Sequence, residues 1–161
     1  DAAGNQISQQ DDLGNRIERT YGSANQLLTE TTFVTPDPDG AGAATASQPL
    51  TSRYAYDSRL NLRYTLSAEG RVTEYRYNSL GQRISQISYL GNRYPVSALA
   101  KEASLSEAQL DAWVAGQNKS QTTREDFVYN LQGLLDTRTR YSQVDANGSG
   151  IPTGASQTRQ V

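Results

Sequence analysis

The 161-residue sequence contains no cysteine, no histidine and no methionine, and it has one tryptophan. Lack of His and Cys excludes Ser-His-Asp and Cys-His catalysis, thiolate and imidazole metal sites, and disulfides. No apolar run approaches the ~20 residues that span a bilayer, so no membrane span is expected. Neither sign of charge is in large excess: 15 Lys and Arg face 17 Asp and Glu, the net charge is −2 and the pI about 5.1. That balance argues against a nucleic-acid-binding surface, despite thirteen arginines. Aliphatic residues are sparse too. Leu, Ile, Val and Phe number 29, or 18 %, below the ~20 % under which disorder becomes plausible, but disorder also calls for high net charge. With ten tyrosines, the chain is expected to fold but to lack a thick core. It should lean on neighbouring chain and not be stable alone. It starts at Asp1 inside a turn motif and has no initiator Met, so it is read as a piece of something longer.

What the sequence has is a beat. Four-residue segments with Asp, Asn or Ser first and Gly last suit type I turns, because the first side chain accepts local backbone hydrogen bonds and the last residue takes positive φ. They start at 1, 11 and 22, then at 57, 67, 78 and 88, then at 130. Within each block the steps are 10 or 11 residues, giving a repeat of 21. At 22–25, Asn25 stands for Gly. At 57–60, Leu60 stands where Gly belongs, and Asn61 is expected to take the positive φ. Between turns lie segments of about six residues rich in Tyr, Thr, Ile and Val, a normal strand length. Gly in fourth place suits a hairpin with a type I turn and a G1 bulge. The expectation is an all-β, antiparallel β-meander. Alternation puts Thr73, Tyr75 and Tyr77 on one face and Val72, Glu74 and Arg76 on the other. It likewise puts Arg83, Ser85, Ile87 and Tyr89 on one face. Neither face is aliphatic enough for a dry sandwich core, so turn chemistry must help set register.

Tyr precedes every other turn, at Tyr21, Tyr56, Tyr77 and Tyr129. Three of these lie in aromatic-x-Tyr doublets: Tyr54-Ala55-Tyr56-Asp57, Tyr75-Arg76-Tyr77-Asn78 and Phe127-Val128-Tyr129-Asn130. Gly14 and Gly70 each precede a Tyr by seven residues. With Asn78-Ser79-Leu80-Gly81-Gln82-Arg83-Ile84, this pattern resembles the YD repeat of the RHS family, over most of residues 1–35, 51–94 and 125–141. The resemblance implies a long antiparallel sheet wound into part of a spiral shell. In bacterial RHS toxins and the B and C components of Tc toxins, such a shell encloses a C-terminal toxin domain before delivery; teneurins use a related barrel in adhesion. The implied partners are the remainder of the same shell, an enclosed C-terminal toxin domain, and secretion or delivery proteins. The implied location is outside a bacterium, by secretion or delivery. The chain is read as wall, not as plug or cleavage site, and no catalytic residue is carried over.

Two interruptions break the beat. A Pro-, Gly-, Ala- and Ser-rich stretch is expected to form a loop insertion at 35–50. A helical insertion is expected at 95–123, with Ser104 as N-cap, Glu107 closing a capping box and Gly116 ending the helix. Its apolar stripe is Leu110, Trp113 and Val114. Trp113 either anchors the helix to the sheet or faces a partner. Residues 142–161 are expected to be a loop or flexible tail. Within them Asp145, Asn147, Ser149 and Gly150 have calcium-loop spacing, but the twelfth position is Ser156, not Glu, and a turn or tail fits better. Asp37 and Asp39 are read as loop solvation. The tyrosines are read as a ladder with cross-strand aromatic pairs, in preference to a sugar-stacking surface, and the arginines as cross-strand partners of Glu and Asp. A glycosidase-type carboxylate pair is disfavoured because Asp11 and Asp57 are turn residues. No enzyme, cofactor or metal site is expected. The functional expectation is a structural wall that shields a toxin cargo; the alternative is an extracellular adhesion module binding glycans or a receptor.

Overall fold

The computed structural model describes residues 1–37 and 45–159. Ten strands form one open sheet in chain order: β1 (Ser8–Gln10), β2 (Arg16–Tyr21), β3 (Leu27–Thr35), β4 (Ser47–Tyr56), β5 (Leu62–Leu66), β6 (Val72–Tyr77), β7 (Arg83–Tyr89), β8 (Thr122–Tyr129), β9 (Leu135–Tyr141) and β10 (Ser156–Arg159). Every neighbouring pair is antiparallel. One short helix, α1 (Glu107–Ala115), lies between β7 and β8, followed by a 3₁₀ turn at Lys119–Gln121.

The turn chemistry explains the meander. At 11–14, 57–60, 67–70, 78–81 and 130–133, the fourth residue's N–H bonds the first residue's carbonyl, and the first residue's N–H bonds the fifth residue's carbonyl. Asp or Asn in first place also accepts two backbone N–H groups with one side-chain oxygen; Asp57, for example, accepts from Arg59 and Asn61. This is the expected turn with its bulge. The ladder slips at Thr20/Tyr21, Ala55/Tyr56, Arg76/Tyr77 and Val128/Tyr129, always at the Tyr that opens a turn.

Several sequence expectations are corrected. Leu60 itself takes positive φ (62°), because the Asp57 cap fixes the turn around it, and Asn61 instead bonds Asp57 through its amide. The segment 88–91 is not a hairpin turn. Its partner strand arrives only after the helical insertion, and the Leu90 N–H bonds the Gln121 carbonyl. The bulge at Ile84 breaks the alternation of β7, so Arg83 stacks on Tyr75 and Phe127, on the face opposite Ser85, Ile87 and Tyr89. The capping box is Ser106 with Gln109, two residues beyond the expected one. That register puts Leu105 before the cap and Leu110 five residues on, both buried in the core, as a hydrophobic staple does. The loop expected at 35–50 is shorter than its bounds, since Thr35 pairs with Ser47 and Phe33 with Pro49; its centre, 38–44, lies outside the described residues. Within the expected loop or tail at 142–161, residues 142–155 are turns and bends, and only Ser156–Arg159 forms a strand. Val144 is buried and bridges Gly150, and β10 pairs with β9. All four residues of β10 are exposed, so ladder hydrogen bonds hold it and no apolar period announces it.

The core lies on one face of the sheet, beneath the insertion. Ala55, Tyr64, Leu66, Val72, Ile87 and Tyr89 come from the strands, and Leu105, Leu110 and Val114 from the insertion. The other face has no covering layer among the described residues. It carries Arg19, Glu30, Tyr54, Tyr75, Gln86, Glu125, Arg138 and Arg140, placed there by cross-strand register.

Candidate functional site

The feature most tied to the repeat is the sheet edge where the Tyr-led turns follow one another. In a meander, alternate turns share an edge, so the turns at 1–4, 22–25, 57–60, 78–81 and 130–133 lie along one side. Two links join neighbours. First, the tyrosine that opens one turn donates its hydroxyl to a carbonyl just beyond the preceding turn: Tyr21 to Gln6 (3.2 Å), Tyr77 to Leu62 (2.8 Å) and Tyr129 to Arg83 (2.9 Å). In each case the acceptor is the sixth residue counted from the start of its turn. Second, a side chain of one turn reaches the next: Asn5 to the Asn25 side chain (3.1 Å), Arg59 to the Ser79 carbonyl (2.8 Å) and Gln82 to the Gly133 carbonyl (3.1 Å). Neither link joins 22–25 to 57–60, the pair separated by the long β3–β4 hairpin. Both join 78–81 to 130–133, so the helical insertion leaves this edge of the repeat unbroken. The tyrosines do form a ladder, but through hydroxyl-to-carbonyl bonds. Among the described residues the aromatic ring pairs are Tyr89–Trp113 and Tyr94–Trp113, so the expected cross-strand tyrosine pairs are replaced.

The insertion is held by two buried charges. Glu74 is 1 % exposed and accepts from Arg63 (2.8 Å), Arg76 (2.6 Å) and the Tyr89 hydroxyl (2.6 Å). Burial pushes its carboxyl up, but the bonds from Arg76 and Tyr89 and the charges of Arg76 and Arg63 more than reverse this. The carboxyl lies below the usual glutamate range. Burial, then the bond to Glu74, push the Tyr89 hydroxyl up. Arg63 continues to Glu107 (3.5 Å) and Asp111 (3.7 Å) of α1, and the Tyr64 hydroxyl bonds Asp111. Burial and the adjacent Asp111 charge raise the Glu107 carboxyl. On the far side, buried Arg53 meets no carboxylate among the described residues. It donates to the carbonyls of Ala103 (2.8 Å), Ala100 (2.9 Å) and Thr51 (3.2 Å). Lys101 bonds Glu18 of β2. The insertion is thus tied to β2, β4, β5 and, through Trp113 edge-on to Tyr89 at 5.8 Å, to β7. Trp113 packs as an anchor.

The expected cross-strand pairing holds for Arg19, Arg63, Arg138, Arg140 and Arg159, whereas Arg16, Arg76 and Arg124 meet a carboxylate two residues away on their own strand. Arg19 meets Glu30 directly across the ladder at 2.7 Å, and Arg138 and Arg140 share Glu125 at 2.6 Å each. The candidate calcium segment forms another Asp-capped turn. Asp145 accepts the N–H groups of Asn147 and Ser149, and the Gly148 carbonyl is taken by Arg124 (2.6 Å). Among the described residues no group of three or more His, Cys, Asp or Glu could hold a metal ion. The Asp37 N–H bonds the Gly14 carbonyl and its own carbonyl accepts from Gln10; Asp39 lies outside the described residues. No helix among those residues is long and apolar enough to cross a membrane. Sequence reasoning missed the roles of Glu74 and Arg53. For Glu74 the available signal was its place beside Val72 on one strand face, where an unpaired charge is costly and implies partners; Arg53 gave none. No family model and no curated protein matches the chain.

Proposed function

We propose that this chain is a segment of a β-sheet wall of the RHS/YD-repeat kind, which encloses and shields a toxin cargo before delivery. The observation that carries the reading is the Tyr-led turn ladder: one turn geometry and one tyrosine-to-carbonyl bond recur along one edge of a meander. That arrangement suits indefinite extension, each hairpin bonding its neighbour as in other repeat architectures. The open sheet adds support. Among the described residues β1 and β10 each pair on one side only, and further strands of the same wall would cover the other. The mechanism is steric, and the reading assigns no catalytic residue, cofactor or metal. Its partners are the remainder of the wall and the enclosed domain.

The test is limited proteolysis of the native parent protein, with mass spectrometry of the surviving fragments. The expected result is a C-terminal domain that stays protected until the shell is denatured. Free trimming to independent modules, with nothing shielded, overturns the reading and directs attention to glycan or receptor binding.

A further inference from the structure

The uncovered face carries a cleft of about 430 Å³ toward the β10 edge. Three guanidiniums line it, those of Arg83, Arg138 and Arg140, against the single carboxylate of Glu125. Glu125 is consumed by two of them: Arg138 donates at 2.9 and 2.6 Å and Arg140 at 2.7 Å. Arg83 has no carboxylate within 4.0 Å among the described residues. It is held instead over two rings, 4.8 Å from the Phe127 centroid and 5.6 Å from that of Tyr75. The ring faces attract the cation without using its N–H groups, which donate to no group among the described residues. Gln86 and Thr158 add polar groups to the lining. The cleft therefore has two positive charges in excess and one guanidinium whose donors are unspent among the described residues.

We propose that this cleft binds an oxoanion, a carboxylate or phosphate group, between Arg83 and the Arg138–Arg140 pair. Planar guanidiniums match either group in bidentate fashion. The proposal stands apart from the wall reading, because it concerns only the chemistry of the bare face.

The intact protein is titrated calorimetrically with inorganic phosphate and, separately, with citrate. The expected result is saturable binding of at least one probe, and the tighter one names the group. Arg83→Gln and Arg138→Gln should each weaken that binding by about tenfold or more, whereas Arg71→Gln, an exposed arginine away from the cleft, should not change it. Arg138→Gln also disturbs Glu125, so Glu125→Gln supplies the second reading. Removing the one negative charge about 5 Å from the anion should tighten binding about fourfold in a water-like dielectric, a gain that damaged folding does not produce. Absence of saturable binding by both probes overturns the proposal, as does binding indifferent to Arg83 and Arg138, or weakened in Glu125→Gln.

Discussion

Gly70 and Gly81 occupy the same fourth position of the same turn type, with φ of 85° and 78°, yet Ala should be far more damaging at one than at the other. At Gly81 an added Cβ finds only the Asn61 side-chain oxygen, at 3.8 Å. The cost there is left-handed backbone alone: about 1–2 kcal/mol, offset by about 0.4–1 kcal/mol from the stiffer unfolded chain. Gly81→Ala should therefore cost about 1 kcal/mol. At Gly70 the Cβ would collide with the backbone of Tyr94 and crowd Arg93. That segment begins the insertion, and the Tyr94 N–H bonds the Gly70 carbonyl at 2.9 Å. Relieving the clash sacrifices this bond, about 1 kcal/mol, and loosens the contact of Tyr94 with Trp113 at 5.9 Å, about another 1 kcal/mol. The total at Gly70 is about 3 kcal/mol. Hydrogen exchange with mass spectrometry on the intact protein separates the two. Peptides across 90–116 should exchange about 30-fold faster in Gly70→Ala than in Gly81→Ala, since each 1.4 kcal/mol is about tenfold. Equal exchange in the two variants would refute the claim that the insertion docks on the 67–70 turn.

Glu74→Gln should destabilise the insertion and strands β5 to β7 by about 3 kcal/mol, as removing the charged partner of a buried pair does, read by the same exchange experiment. Because the folded Glu74 carboxyl lies below its ordinary value of 4.5, its contribution is complete above pH 4.5 and is lost as pH falls through the lowered value. The gap between wild type and Glu74→Gln should thus hold from pH 7 down to about 4.5 and close only below it; a gap that closes above pH 5 contradicts the network. Tyr77→Phe deletes the bond to Leu62 and should raise local opening by about 1 kcal/mol, whereas Tyr56→Phe, across the one unlinked turn pair, should change little. The isolated 161-residue chain should melt without a cooperative transition, since its apolar cluster lies in the middle of the sheet while β1 and β10 are exposed along their whole length; a sharp calorimetric peak would contradict this.

The meander was legible in the sequence because its determinant is local. A first-position Asp or Asn and a fourth-position Gly close a turn through bonds spanning two to four residues, so reading them needs no tertiary knowledge. The helix was legible for the same reason, but its register was not. Ser104 and Ser106 both offer a cap, and only packing of Leu105 with Leu110 chooses between them. Alternation failed at Arg83 because a bulge adds one residue and moves later side chains to the other face. β10 was invisible because its residues, Ser156 to Arg159, bury nothing. The site residues Glu74 and Arg53 were hidden in a different way. Each has one partner two residues away, Arg76 for Glu74 and Thr51 for Arg53, but the bonds that reach other elements span 11 to 50 residues, and that pairing leaves no local trace.

The insertion resolves the problem posed by the thin aliphatic content. A sheet with polar residues on both faces has nothing to pack against a second sheet, and 29 aliphatic and Phe residues do not furnish one. The chain gathers them instead: Leu66, Val72 and Ile87 meet Leu105, Leu110 and Val114 in one patch, and Glu74 and Arg53 are buried where their bonds tie that patch to the strands around it. Elsewhere the sheet relies on ladder hydrogen bonds, ion pairs and the turn links, which act within a strand or between neighbouring strands and turns. Such a sheet gains little from distant contacts, so a lesion in one hairpin should open its neighbours and leave remote ones intact. The Tyr-led edge couples three of its four neighbouring turn pairs in this way, and it runs past the insertion without a break. The covered face and the turn edge therefore fix the geometry between them, and the bare face keeps its charged side chains free of structural duty except where they pair. Arg83, near two rings and without a carboxylate partner among the described residues, is the exception to that pairing, which is why the anion test starts there.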